Sequence, residues 1–204
     1  MQLTWAESVE AFTSAAEWFV ATAKGADGHW TGPGLGEWDV RALVGHTSRA
    51  LLTVESYLAS PPERVELESA VDYYRTTRSM AAGPAVAQRG RDAGRALGDD
   101  PVSAVGAIAA RVVPLVQRCT GEELLTTIVG GMRLADYLPT RTFELVVHTC
   151  DLCLALGQTP TPPPVSLRAV MALATDLVLA RDDAADVLLA LTGRRSLPTG
   201  YSLV

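Results

Sequence analysis

The chain has 204 residues, of which 48% are hydrophobic and 20% charged, with a net charge of −6 and a pI near 5.1. That is ample apolar material for one packed domain, so disorder is excluded, and the acidic balance argues against nucleic acid or an anionic membrane surface as a partner. Sixteen of the seventeen lysine and arginine side chains are arginine, a bias that identifies no ligand by itself.

The longest apolar run free of charge, Leu152 to Leu167, contains four prolines and is too short and broken to span a bilayer. The start, Met1-Gln2-Leu3-Thr4-Trp5, lacks the basic and apolar stretches of a signal peptide. Three cysteines give no even disulfide framework. The expectation is a soluble, reduced, cytoplasmic protein.

Thr4-Trp5-Ala6-Glu7 has the form of a helical capping box, and Val9, Phe12, Ala16, Phe19 and Val20 follow at helical spacing up to Lys24-Gly25. Residues 25–37 hold five glycines and a proline and read as a loop carrying His29 and Trp30. Asp39 is placed to cap a second helix ending near Ala59, with Trp38 expected to staple onto Leu43. Residues 67–98 read as helix broken at Gly83-Pro84, and 102–119 as an apolar helix kinked at Pro114. Residues 124–132 suit either a short strand or an extended connection. A helix is predicted from about Leu134 to Leu156, with Pro139 tolerable in the first turn or at a kink. The Pro-rich stretch 157–166 reads as a stiff crossing leading to helices at 167–181 and 183–191. The pattern predicts a single all-α domain over 1–204, built around a helix bundle.

Chemistry concentrates in Glu144-x-x-x-His148-x-x-Asp151, whose spacings of four and three put all three side chains on one helix face. A carboxylate and an imidazole one turn apart can reach one metal ion. His46 stands alone in the second helix, one turn beyond Leu43. Packing of the two helices would complete a His46, Glu144, His148 ligand set, with positions left open for water or substrate. A helix-stabilising Glu–His pair and a core histidine are the plainer readings of the same residues. Asp151 would orient a ligand ring or a bound water, or be an ordinary helix carboxylate. Cys150-x-x-Cys153 lies inside a helix and not at its N-terminus, with no second pair to complete a zinc site, so both cysteines read as small packing residues. No Gly-x-Ser-x-Gly, Walker A or dinucleotide-binding glycine motif is present.

Trp38-Asp-Val-Arg-Ala-Leu-Val-Gly-His46 and Leu134-Ala-Asp-Tyr-Leu-Pro-Thr-Arg-Thr-Phe-Glu144-Leu-Val-Val-His148-Thr-Cys-Asp151 resemble the paired signatures of the DinB-like, mycothiol-dependent maleylpyruvate isomerase N-terminal domain. The ending Leu191-Thr-Gly-Arg-Arg-Ser-Leu-Pro is similar to the close of shorter members. The resemblance implies a DinB-like four-helix bundle with additional short helices. It also implies one divalent metal, usually zinc, held by His46, Glu144 and His148, and mycothiol as co-substrate. The isomerase has a further C-terminal domain, and this chain is expected to be too short for a full one. The expected function is therefore a thiol S-transferase or isomerase-like enzyme, with a metal-bound thiolate attacking a small electrophile. The alternatives are a hydrolase using metal-bound water and a non-enzymatic metal-binding bundle. A homodimer stays open.

Overall fold

The computed structural model describes residues 3–78 and 84–204. Its architecture is all-α and DinB-like, with eight helices and one small hairpin among the described residues. Helix α1 (Trp5–Lys24) begins at the expected capping box, in which the Thr4 hydroxyl accepts from Glu7 N and the Glu7 carboxylate accepts from Thr4 N. Both reciprocal bonds satisfy otherwise orphaned donors. Helix α2 (Val40–Leu58) is capped by Asp39, whose carboxylate accepts from Ala42 N at 2.7 Å.

The sequence reading of 67–98 resolves into α3 (Ala70–Thr77) and α4 (Pro84–Ala96), and the expected break at Gly83 lies outside the described residues. Helix α5 (Pro101–Gln117) contains Pro114 close to its end. The ambiguous stretch becomes an antiparallel hairpin, β1 (Leu124–Thr127) with β2 (Gly130–Arg133), in register Leu124 to Arg133. Gly130 has φ 129°, a left-handed value that a side chain would strain. Helix α6 (Leu134–Ala155) follows directly and carries Pro139 in its second turn, past the first-turn position where a missing N–H costs nothing. The extended crossing is shorter than expected, because Pro163 caps α7 (Pro164–Leu179) and Pro164 occupies its first position. Helix α8 (Ala184–Leu191) closes the helical set.

Helix α6 packs on α1, α2 and α7, while α1 and α2 also contact α5, so α1, α2, α5 and α6 enclose the core. Phe12, Phe19, Leu43, Leu51, Tyr137, Leu138 and Leu145 are fully buried there. Each large apolar side chain so buried contributes about 1.5–3 kcal/mol.

One close crossing brings α4 against α2 beside His46. A Cβ on Gly45 would lie 2.2 Å from Gly94 N, and one on Gly94 would lie 2.7 Å from Arg41 O, so α2 and α4 meet backbone to backbone. A Cβ on Gly90 would sit 2.4 Å from the Trp38 indole. Glycine normally weakens a helix, and here it permits the close approach. The next residue after Gly45 is His46.

Candidate metal centre

Helix α6 supplies three side chains to one face. His148 Nε2 lies 3.3 Å from Glu144 Oε2, and His148 Nδ1 lies 3.1 Å from Asp151 Oδ2. Helix α2 brings His46 to the same place, with the two imidazole centroids 4.9 Å apart and their planes at 84°. One donor atom from each of His46, Glu144 and His148 lies within 4.8 Å of the other two. The third histidine, His29, is exposed in the glycine-rich loop.

Each side chain is held by a neighbour. The Trp38 indole bridges α4 and the His46 ring. Its Nε1 donates to Ala87 O on α4 at 2.9 Å, and its ring lies against the His46 ring at 4.4 Å. Tyr74, from α3, donates its hydroxyl to Glu144 Oε1 at 2.8 Å. No local pattern pointed to Tyr74, because nothing in the sequence ties α3 to α6. Arg141 had a readable signal, since it precedes Glu144 by three residues and therefore shares its face.

Burial would push the Glu144 carboxyl up, but hydrogen bonds from His148 and Tyr74 and the nearby Arg141 charge outweigh it and bring the pKa down to about 2. Burial likewise opposes the His148 cation, yet the bonds to Asp151 and Glu144 raise its pKa to about 9. For His46, burial and then the His148 charge outweigh the Glu144 charge and lower the pKa to about 3. At neutral pH one imidazole is therefore neutral and the other cationic.

The residues fit a divalent ion. His46 Nδ1 is buried and has no hydrogen-bond partner among the described residues, an arrangement that is costly unless a ligand completes it. Two imidazole nitrogens and a carboxylate form a donor set typical of catalytic zinc, with room for a further ligand. The Asp151 contact gives His148 Nδ1 a proton acceptor and so leaves Nε2 as the nitrogen available on the Glu144 side.

The cluster forms part of the wall of a cavity of about 390 Å³, which Arg49, Tyr57, Tyr73 and Arg141 also line. The cysteines lie outside that wall. Cys153 is buried and Cys150 half-buried, and burial raises both thiol pKa values, the opposite of a reactive thiol.

The family model of the mycothiol maleylpyruvate isomerase N-terminal domain matches residues 9–153. The chain belongs to that family. Comparison with curated proteins and with solved structures gives no match. The matched span includes both signature stretches and ends within α6, so the Pro-rich crossing, α7 and α8 lie beyond it. No helix among the described residues is long and apolar enough to cross a membrane.

Proposed function

We propose that this member of the family is a divalent-metal-dependent enzyme that transfers or isomerises through a small thiol, with mycothiol as co-substrate and zinc as the metal. His46, Glu144 and His148 are the residues that would hold the ion. The observation that carries the reading is the convergence of three donor atoms within 4.8 Å, on the wall of a cavity large enough for a small molecule. A divalent ion bound there supplies Lewis acidity, which lowers the pKa of a thiol and makes a nucleophile available at neutral pH.

The chain's own residues bind and orient. Asp151 fixes the His148 tautomer, Tyr74 fixes the Glu144 carboxylate, and the Trp38 face limits rotation of the His46 ring. Among the described residues the cavity wall carries no cysteine, which supports a co-substrate as the source of the sulfur.

The test is metal analysis of protein purified without an affinity tag, followed by cobalt substitution in a variant with Cys119, Cys150 and Cys153 all changed to serine. About one ion per chain is expected, with binding abolished in His46→Ala and His148→Ala and weakened in Glu144→Gln. Mycothiol added to the cobalt protein should produce a sulfur-to-cobalt charge-transfer band. Full metal content in both histidine variants would overturn the ligand set, and an unchanged spectrum at saturating thiol would overturn the thiol chemistry.

A further inference from the structure

Helix α3 supplies none of the three donor atoms, yet one of its side chains reaches them. Tyr74 lies in the middle of α3 and is buried, at 8% exposure. Its ring meets Phe143 of α6 edge-on at 5.6 Å and its neighbour Tyr73 at 5.7 Å. These contacts hold the ring plane and with it the place of the hydroxyl. The Tyr74 oxygen lies 2.8 Å from Glu144 Oε1 and 3.3 Å from the Thr140 carbonyl oxygen. A phenol has one hydrogen to donate, and the shorter contact to a charged acceptor is the stronger. The bond therefore goes to Oε1.

The two oxygens of Glu144 thus stand in different surroundings. Oε2 lies 3.3 Å from His148 Nε2, the nitrogen available on that side, whereas Oε1 is engaged by Tyr74. Among the described residues no other donor reaches Oε1. A carboxylate can bind an ion through one oxygen or through both. Turning Oε1 toward an ion would exchange a charge-assisted bond for the longer contact with a neutral carbonyl, inside a buried setting where that loss is costly.

We infer that Tyr74 is a positioning residue: its hydroxyl holds Glu144 to one-oxygen coordination through Oε2, and so keeps a ligand position open for a co-substrate. The inference rests on the reading of His46, Glu144 and His148 as metal ligands. One donor atom from each of the three makes the incomplete set of a catalytic site, and a second Glu144 oxygen would bring it to the closed count of structural zinc. Helix α3 thereby sets how many donors the protein offers while offering none itself.

The test is Tyr74→Phe in the full chain, loaded with zinc for X-ray absorption and with cobalt for visible spectra. Phe keeps the buried ring and removes only the hydroxyl. Both proteins should bind about one ion per chain. In wild type the Glu144 carboxylate carbon should lie at the longer distance from zinc that one-oxygen binding gives. In Tyr74→Phe it should move to the shorter distance of two-oxygen binding, and the visible cobalt bands should change with it. Mycothiol should then need about tenfold or more higher concentration to produce its sulfur-to-cobalt band, the scale on which such supporting residues act. A residue that only props the fold would lower thermal stability or metal affinity and leave the zinc-to-carbon distance unchanged, and that result would overturn the inference. If Tyr74→Phe fails to fold by circular dichroism, zinc-loaded wild type decides: one-oxygen binding upholds the inference and two-oxygen binding overturns it. Wild type that takes up no ion would overturn the metal reading and this inference together. One ion per chain with identical spectra in the two proteins would overturn the inference alone.

Discussion

Asp151 Oδ2 lies 3.1 Å from His148 Nδ1, so the carboxylate one turn further along α6 fixes which imidazole nitrogen faces Glu144. Replacing Asp151 with Asn keeps the shape and removes the charge that favours an Nδ1 proton. Asp151→Asn should lower zinc affinity by about 10–100-fold, the usual cost of losing such support. Competition against a chelator of known affinity measures it. Unchanged affinity would make Asp151 an ordinary helix carboxylate.

The metal-free protein should be most stable near pH 6.5. His46 has a folded pKa of about 3, because burial opposes its charge, so the unfolded chain binds the extra proton and stability falls as the pH drops below 6.5. His148 has a folded pKa of about 9, because the Asp151 and Glu144 bonds outweigh burial. Its contribution is fully present below pH 6.5 and is lost as the pH rises through about 9. Thermal melts in the presence of a chelator should show both slopes, and His148→Gln should flatten the alkaline one. Zinc uptake at pH 7 should release a proton, since His148 must surrender its own.

Glycine substitutions should separate contact from propensity. Gly45→Ala forces a Cβ to 2.2 Å from Gly94 N, so α2 and α4 must move apart. Overpacking of this kind costs about 1–3 kcal/mol or more, and the displacement should also weaken metal binding through His46. Gly106→Ala, in α5, meets nothing within 4 Å and should stabilise by about 0.4–1 kcal/mol. Urea midpoints of the two variants should therefore shift in opposite directions.

Cys150→Ser and Cys153→Ser should leave metal content unchanged. Cys153, at 3% exposure, should lose the more stability, because a hydroxyl replaces a thiol in an apolar setting. Loss of metal in either variant would place a cysteine in the site.

The local sequence determined what lies within one helical turn. Thr4 with Glu7, and Asp39 with the Ala42 amide, satisfy backbone donors three residues away, so both helix starts were legible before any packing was known. The same period fixed Glu144, His148 and Asp151 on one face of α6. The hairpin at 124–133 was not resolvable from its residues alone, because a short apolar run suits several conformations until a partner strand supplies its hydrogen bonds.

Only the tertiary structure decided what met that face. His46 reaches it because α2 packs against α6, Tyr74 because α3 packs across α6, and Trp38 lies on the His46 ring with its indole nitrogen bonded to a carbonyl on α4. Arg141 shares the Glu144 face by the same helical period, but the surroundings of its charge were decided by packing, which lays the Tyr73 ring of α3 5.6 Å from its guanidinium. Pairing depends on which other charges the fold brings within reach, whereas helical spacing depends only on the backbone.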